Sequence, residues 1–490
     1  MTINDLSQAD LNTLMNEYVQ PTLAIRINRQ SVESNLAKTL QKSSVNGKYH
    51  LKKAQVGGNF RSEARVAGSI LPGLDGAVGV QDNMATIKTV YTQWQRKRVY
   101  KTTDASGESF IAPKNGAGVV KELAKFLLDD VYANIPEDDS RMLATGQLGI
   151  LAEIVSISGN VVTVRAAKSS NAGTAAVSRP WAGNRFIREG MVLDCVKNNA
   201  GAPNPVGAIR LNTEAQNNEG RQVVDISDDG DTATITFDDL SGNTWADGDN
   251  TAGDLLVPLR SREGVTGGIS TQAQWYSTPN PFGIMDCVQT GSDAFYAAPY
   301  MGNLQVAANR FMQSFSVGNT SNDALTPDMV NRLYEKSAMD GIGSNKWDMI
   351  YCTPSVYRLC ARNLTALPST GQSTNNPIRI NNPGSEKVAI GVRGIKLNVL
   401  NTETGEMNFV LSRFAPHYRA YVMDKNELEI MEEMPWGPVD DDGRQAQSYF
   451  DRDGVIFKLR KYTTGMVTSS SRRAGGVITG LSGDQNSASA

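Results

Sequence analysis

Histidine and cysteine are scarce in this 490-residue sequence, and their scarcity excludes several kinds of site. Neither of the two histidines, His50 and His417, has a cysteine or a second histidine at the spacing of a metal-ligand pair. The four cysteines are scattered and do not form the pattern of a secreted disulfide framework. We therefore expect reduced thiols and no histidine-based metal or catalytic site.

Long apolar runs and an excess of charge of one sign are also missing. No apolar run is long enough to span a bilayer, and the first residues lack the basic and apolar parts of a signal peptide. The net charge of -3 gives no overall attraction to nucleic acid, although a local basic face remains open. We expect no membrane partner.

Recognisable catalytic and cation-binding motifs are likewise not found in the sequence. It contains no Gly-x-Ser-x-Gly nucleophile elbow and no glycine-rich phosphate loop followed by Lys-Ser/Thr. The acidic stretch 228–231 lacks the later ligand of a calcium loop, since the twelfth position counted from Asp225 is Thr236. We predict no catalytic, cofactor-binding or metal-binding residues, and we interpret the chain as non-enzymatic.

The strongest positive pattern lies in the stretch 326–364. Thr326-Pro327 and Thr353-Pro354 each combine an N-cap hydroxyl with a proline at the first helical position. Between the two predicted helices, Trp347–Cys352 is short and apolar enough for a buried strand. The order helix, buried strand, helix predicts a compact α/β layer, and the β segments that follow are expected to pack against it.

Residues 47–103 predict a long two-stranded excursion. Lys48–Val56 and Met84–Lys101 are rich in strand-forming residues, and a glycine-dotted stretch separates them. A lone hairpin is marginally stable in water, so we expect this one to lie against another surface, such as a neighbouring subunit. A basic cluster at its end suggests acidic partners, and the alternative is a solvated strand face. The candidate inter-subunit contacts are Tyr91, Trp94, Arg96, Lys97, Arg98 and Lys101.

The remaining segments alternate between helical and strand patterns. Residues 5–45 are predicted to be a helical arm or a simple helical cap, and residues 116–145 a strong helix that Pro136 breaks or kinks. Residues 146–262 contain short, regularly spaced strands that predict a small antiparallel barrel or sandwich, inserted in the chain. We also predict a helix over Asn303–Phe315.

This order of elements resembles that of the major capsid proteins of tailed bacteriophages, whose Hong-Kong-97-type fold is also found in encapsulins. Three local stretches are similar to the family. They are the step from Met142-Leu143-Ala144-Thr145-Gly146 into Gly149-Ile150-Leu151, the segment Phe414–Tyr421, and the ending Gly475–Leu481. The resemblance covers most of the chain, and the predicted insertion departs from the simplest family pattern.

The resemblance implies an α+β fold with a defined set of domains. These are an N-terminal arm (1–46), an E-loop (47–112), the spine helix of the P-domain (113–148), an inserted all-β domain (149–262), a connection between P-domain and A-domain (263–325), the A-domain (326–424), returning P-domain and A-domain strands (425–481) and a flexible tail (482–490).

The resemblance also implies a function. It is that of a shell subunit that self-assembles into pentamers and hexamers and encloses double-stranded DNA without reading its sequence. The implied partners are sister copies, a separate scaffolding protein, a portal and a decoration or cement protein. The implied location is the virion capsid, after the host cytoplasm. Two alternatives remain open from the sequence: an encapsulin-like compartment, and an unrecognised enzyme whose β segment binds substrate.

Overall fold

The structure is a computed structural model that describes a defined part of the chain. The described residues are 41–42, 49–55, 89–106, 133–165, 185–196, 220–228, 233–240, 254–259, 278–290, 300–306, 308–318, 324–340, 347–366, 399–402, 405–416, 419–438, 446–449 and 454–481.

The strands, in chain order, are β1 (Gln41–Lys42), β2 (Tyr49–Gln55), β3 (Thr89–Gln95), β4 (Lys97–Ser106), β5 (Ala152–Ser158), β6 (Val161–Arg165), β7 (Val192–Val196), β8 (Arg221–Asp228), β9 (Ala233–Phe237), β10 (Leu255–Pro258), β11 (Tyr300–Met301), β12 (Leu304–Gln305), β13 (Phe315–Gly318), β14 (Met349–Cys352), β15 (Val399–Thr402), β16 (Gly405–Leu411), β17 (Arg419–Met423), β18 (Leu428–Pro438), β19 (Ala446–Tyr449), β20 (Gly454–Thr468) and β21 (Gly475–Thr479). The helices are α1 (133–145), α2 (Ile284–Cys287), α3 (Pro327–Asp340), α4 (Pro354–Ala366) and α5 (Ser471–Ala474), with 3-10 turns at Gly146–Leu148 and Arg310–Met312.

A mixed six-stranded sheet, the central sheet, carries the α/β layer. Its strand order is β13-β21-β17-β14-β16-β15. The predicted helix starts are confirmed: α3 and α4 begin at Pro327 and Pro354. The hydroxyls of Thr326 and Thr353 each accept a hydrogen bond, at 3.4 Å, from the backbone N–H three residues later. The predicted buried strand is β14, all four residues of which are buried.

The two faces of the central sheet belong to different hydrophobic cores. Ile350 and Cys352 point to the same side as the apolar residues of α3 and α4 and pack with them. Met349 and Tyr351, at alternate positions of β14, join a second core. This second core also contains residues of β3, α1, α2 and the sheet formed by β1, β4, β18, β19 and β20, which we call the base sheet. One shared core therefore fixes the central sheet against the base sheet.

Residues 152–258 contain six strands that form a closed barrel, in the order β10-β5-β6-β9-β8-β7. Of the two architectures that the sequence left open, the described residues adopt the barrel. A hairpin turn at Gly159-Asn160 joins β5 to β6, and Gly159 has a φ of 60°. The barrel core extends outside its own strands, because Phe414 stacks on Phe186 at 5.5 Å between ring centroids.

The predicted helix over Asn303–Phe315 is wrong. Residues 300–305 form the hairpin β11–β12, the 3-10 turn Arg310–Met312 follows, and β13 begins at Phe315. The apolar spacing suited a helix, but the hairpin turn docks on β3, where Gln93 N donates to Asn303 Oδ1 at 3.0 Å. Gly302 lies so close to Gln93 O that an added Cβ would approach it to 2.5 Å. A long-range contact has overridden the local periodicity.

Two further expectations change in detail. Residues 41–42, predicted as helical, form β1, which pairs in parallel with β18. Residues 133–145 are helical on both sides of Pro136, so the helix does not end there. The stretches 1–40 and 107–132, which contain the rest of the predicted arm and the predicted start of the long helix, lie outside the described residues.

Three consecutive acidic residues on α1 bind side chains from other segments of the chain. Glu137 pairs with Arg188 at 2.9 Å and with Arg413 at 2.7 Å. Asp138 pairs with Lys101 of β4. Asp139, which is buried, accepts hydrogen bonds from Lys461 Nζ (3.1 Å) and Trp436 Nε1 (3.0 Å) in the base sheet. The helix is therefore fixed by ion pairs as well as by packing.

The buried ammonium of Lys461 is stabilised by this arrangement. Burial alone would disfavour the charged form, but the carboxylates of Asp139 and Glu432, each 3.1 Å away, raise the pKa of Lys461. Removing one partner of such a buried pair leaves an uncompensated charge, which is strongly destabilising. The pair therefore disfavours other positions of α1 on the base sheet, because they would separate the two buried charges.

The segment 278–287 crosses β20 at very close range, and we call this crossing the joint. Phe282 N donates to Thr464 O at 3.0 Å, and Met466 N donates to Phe282 O at 2.8 Å. Gly465 lies between them with a φ of 89°. A Cβ at Gly465 would come within 2.1 Å of Phe282 O, so the crossing requires glycine.

On the other side of the joint, Asp286 and Lys97 are both buried. One oxygen of Asp286, Oδ2, accepts hydrogen bonds from Gln147 N and Gly283 N, both at 2.8 Å. Lys97 Nζ donates to Thr278 O at 2.5 Å. Burial lowers the pKa of Lys97 to about 7, and the negative charge of Asp286 opposes that shift.

We predict that Gly465→Ala severely destabilises the fold. The alanine would combine a left-handed backbone, which costs roughly 1–2 kcal/mol, with a clash against the Phe282 carbonyl. Gly159→Ala is the matched control, because its φ is also positive but no heavy atom lies within 4 Å of the added Cβ. Denaturant unfolding should show a loss of about 1 kcal/mol for the control and a clearly larger loss for Gly465→Ala. Equal losses would contradict the close crossing.

We also predict that Lys97 makes stability depend on pH. Its pKa is about 7 in the folded chain and its ordinary value is 10.5, so the unfolded chain binds more protons between these values. The free energy of unfolding should therefore rise with pH across that window, by up to about 1.4 kcal/mol per pH unit from this group. Lys97→Met should remove that part of the slope, whereas Lys53→Met, at an exposed lysine of β2, should not. An unchanged slope in Lys97→Met would show that Lys97 is not the titrating group.

Candidate interaction surface

The antiparallel pair β2–β3, which we call the hairpin, has one buried and one exposed face. On the buried face, the Trp94 ring packs edge-on against Phe282 at 4.7 Å, and its Nε1 donates to Thr92 Oγ1 at 3.1 Å. On the exposed face, Leu51 and Tyr91 are 54% and 53% exposed. The hairpin therefore uses one face to attach to its own chain and presents the other outward.

Polar contacts fix the hairpin to the base sheet. Lys52 Nζ lies 2.6 Å from Glu429 Oε1 on β18. Burial lowers the pKa of the neighbouring His50; Lys52 lowers it further, and Glu429 opposes the shift. These contacts add to the Trp94 anchor at the hairpin base.

Two of the six predicted contact residues are buried inside the chain. Trp94 is fully buried and Lys97 is 4% exposed, and both lie at the joint. We correct their assignment: neither offers a surface to a neighbouring subunit in this structure. The physical reason is the register of β3 and β4, in which these two positions face the core.

Arg96 and Lys101 each form an ion pair with a carboxylate of the same chain. Arg96 Nη1 donates to both carboxylate oxygens of Glu433, at 2.6 and 2.8 Å. Lys101 pairs with Asp138 on α1. Lys101 therefore holds the helix to β4, whereas the Arg96 pair lies at the surface, where ion pairs contribute little to stability.

Arg98 lies in a group of arginines that surrounds the ring of Tyr462. The guanidinium carbons of Arg96, Arg98 and Arg460 lie 5.1, 5.5 and 4.7 Å from the ring centroid. Arg98 and Tyr462 are opposite each other in the pairing of β4 with β20. Stacking on an aromatic ring orients a guanidinium and leaves its N–H edge available. We call these four residues the arginine face.

The sequence analysis identified Tyr91 and Arg98, which are exposed, but missed other members of the surface. Leu51 and Tyr100 are more than half exposed, and Arg460 and Tyr462 complete the arginine face. Alternation along β2 and β4 could have indicated which side chains share a face. The register between β4 and β20, which joins residues about 360 positions apart, was not accessible from local pattern.

No cluster of three or more His, Cys, Asp or Glu that could hold a metal occurs within the described residues. All four cysteines are buried and none forms a disulfide bond, and burial raises the pKa of Cys360 to about 12. Among the helices that the structure describes, none is both long and apolar enough to cross a bilayer.

The comparison with protein families gives one match. Residues 260–447 match the sequence model of the family described as SU10 major capsid protein. The matched range contains α2 to α4 and β11 to β18, and so most of the central sheet. A search of curated proteins gave no match.

The solved structures to which this chain is similar include phage particles and an encapsulin. A chain of the cyanophage A-1(L) capsid asymmetric unit is 11% identical, with coverage of 93% of this chain and 94% of that one and a TM-score of 0.43. Mycobacterium phage Adephagia gives 9% identity, 97% and 98% coverage and a TM-score of 0.36. An encapsulin complex from Synechococcus elongatus gives 10% identity, 35% and 54% coverage and a TM-score of 0.22.

The family match is a sequence finding, and it falls on the α/β layer that gave the strongest pattern in the sequence. The resemblance stated from the sequence and the family match agree with each other. Residues 260–447 of this chain are thus similar to the SU10 major capsid protein family.

Proposed function

We propose that copies of this chain assemble into pentamers and hexamers that form an icosahedral head around double-stranded DNA. The observation that carries this proposal is the hairpin, whose exposed face presents Leu51 and Tyr91 while Trp94 on the other face attaches it to its own chain. Leu51 and Tyr91 are diagonal neighbours on that face, and contiguous exposed apolar side chains indicate a protein contact. A sister copy is the partner that the family match supports.

The proposed subunit has a Hong-Kong-97-type fold. In this proposal the hairpin is the base of the E-loop (47–112), and α1 is the described end of the spine helix (113–148). Strands β14 to β17 of the central sheet, with α3 and α4, belong to the A-domain (326–424), and strands β18 to β20 of the base sheet belong to the returning strands (425–481). The barrel is the inserted domain (149–262), and its contacts through Phe414 and Arg185 support a fixed position on the subunit.

Contacts of this kind are individually modest and collectively strong. Burying a side chain such as Leu51 fully contributes about 1.5–3 kcal/mol, which is small beside the entropy lost on association. In a closed shell each subunit contacts several neighbours at once, so modest contacts reinforce one another. Ring-forming contacts between unlike surfaces are the geometry that such an assembly requires.

The proposed partners follow from the assembly. Besides sister copies, a scaffolding protein, a portal and a decoration or cement protein are expected, and the enclosed DNA is held without sequence-specific binding. The net charge of -3 supports steric retention of DNA, not tight binding. The proposed role is non-enzymatic, in the host cytoplasm before assembly and in the virion capsid afterwards.

Electron microscopy and size in solution test the proposal directly. The purified chain, alone or with its scaffolding protein, should form capsomers or closed shells that sediment as large particles. A protein that stays monomeric under all assembly conditions, including co-expression with scaffold, would contradict it. Shells that package a protein cargo and no DNA would favour the encapsulin alternative.

We predict that Leu51→Ser/Tyr91→Ser impairs assembly without unfolding the subunit. Both side chains are exposed in the isolated chain, so their loss should leave its thermal unfolding midpoint nearly unchanged. The concentration needed for assembly should rise by roughly tenfold or more, since about 1.4 kcal/mol of contact energy is a factor of ten. Sedimentation across a concentration series measures this assembly concentration.

Val224→Ser is the matched control, because Val224 is 56% exposed but lies on the barrel strand β8. It should assemble like the wild type. If the hairpin variant also assembled at the wild-type concentration, the exposed face of the hairpin would not be an inter-subunit contact.

A further inference from the structure

We propose that the arginine face binds the acidic segment Asp440-Asp441-Asp442 of a second copy of the chain. The inference deepens the proposed function and depends on it, because it names the surface and the segment of one contact between subunits. The contact would join two different surfaces. Each subunit would therefore contribute its acidic segment to one neighbour and bind the acidic segment of another neighbour.

The geometry of the arginine face concentrates positive charge. Three guanidinium groups surround the Tyr462 ring, and two of them, those of Arg96 and Arg98, are partly or fully accessible. The Arg96 guanidinium pairs with Glu433. The Arg98 guanidinium contacts the Tyr462 ring and no carboxylate among the residues that the structure describes. Positive charges at this spacing repel one another, so an anionic partner would reduce the electrostatic repulsion that exists in the isolated subunit.

The chemistry of the face selects carboxylates or phosphates. A guanidinium presents a planar row of N–H donors that matches the two oxygens of such groups. Because the Tyr462 ring holds Arg98 in place, less side-chain entropy is lost on binding than for a free arginine. The exposed Tyr100, which is opposite Arg460 across the β4–β20 pairing, adds an apolar contact at the rim.

The chain itself supplies a matching anion. Asp440, Asp441 and Asp442 follow one another in the sequence, in the stretch between β18, which ends at Pro438, and β19, which begins at Ala446. β18 and β19 are both paired with β20, the strand that carries Tyr462. In a shell of identical subunits, a segment of the neighbour is present at high effective concentration, which favours it over a freely diffusing anion.

The test uses two complementary charge reversals in the full chain. Arg98→Glu reverses the face at a residue without an intrachain ion pair among the described residues, and Asp441→Lys/Asp442→Lys reverses the segment. Each variant alone should need at least tenfold more protein to assemble. An equimolar mixture should form hexamers close to the wild-type concentration, because alternating subunits in a six-membered ring restore opposite charges at every contact. A five-membered ring cannot alternate, so hexamer formation is the quantity measured.

The control is Arg332→Glu, which makes the same charge change at an exposed arginine of α3. It should leave assembly within about twofold of the wild type, since exposed pairs contribute little. A direct measurement complements assembly: a peptide of residues 438–446 should bind the wild-type subunit more weakly as salt rises. Arg98→Glu should weaken that binding, and Arg332→Glu should not.

Three outcomes would overturn the proposal. If all three reversals in one chain restored assembly but the equimolar mixture did not, the contact would lie within a subunit. If Arg98→Glu assembled normally but bound double-stranded DNA less well than the wild type, the face would be a nucleic-acid surface. If Arg98→Glu changed neither property and the peptide did not bind, the face would have no anionic partner. Failure of the wild type to assemble would instead contradict the proposed function, and the peptide measurement would still decide this contact.

Discussion

The close crossing of segment 278–287 over β20 is the constraint on which the rest of the structure depends. Phe282 and Met466 exchange backbone hydrogen bonds with almost no room between the chains, and Gly465 is the residue that permits it. The same segment packs Phe282 against Trp94 of the hairpin, and its Asp286 accepts the N–H of Gln147, just after α1. Helix, hairpin and base sheet thus meet at one point. Displacing that point would move all three elements together.

This arrangement determines what remains available at the surface. Trp94 and Lys97 are buried at the joint. The face of the hairpin that remains available to another molecule is therefore the opposite one, which carries Leu51 and Tyr91. An element that projects from a body needs a rigid base if it is to position a contact accurately. The buried Asp139–Lys461 pair gives α1 such a base on the neighbouring sheet. Rigidity at the joint and exposure at the hairpin are therefore two consequences of one packing arrangement.

Local signals were predictable from the sequence, and long-range contacts were not. The starts of α3 and α4 depend on a hydroxyl and an N–H three residues apart, so Thr326 and Thr353 could be identified without any tertiary information. The helix predicted near Asn303 failed because Gln93, 210 residues away, holds that segment as a hairpin turn. The burial of Trp94 likewise depends on Phe282, which no local pattern connects to it. A strongly basic and aromatic strand looks the same in sequence whether its tryptophan faces inward or outward.

The exposed apolar and charged surfaces have different physical consequences for a subunit that must associate many times. Apolar side chains such as Leu51 and Tyr91 supply attraction that changes little with salt, but they accept many partners and orientations. Charged groups such as Arg98 contribute less net affinity, because desolvation offsets the Coulomb gain, yet like charges in a wrong register repel. A contact that combines both is strong enough to form and selective enough to close into a ring. Because Arg96 directly follows β3 and Arg98 lies on β4, the arginine face is continuous in the chain with the hairpin, so an error in register at one surface would also disturb the other.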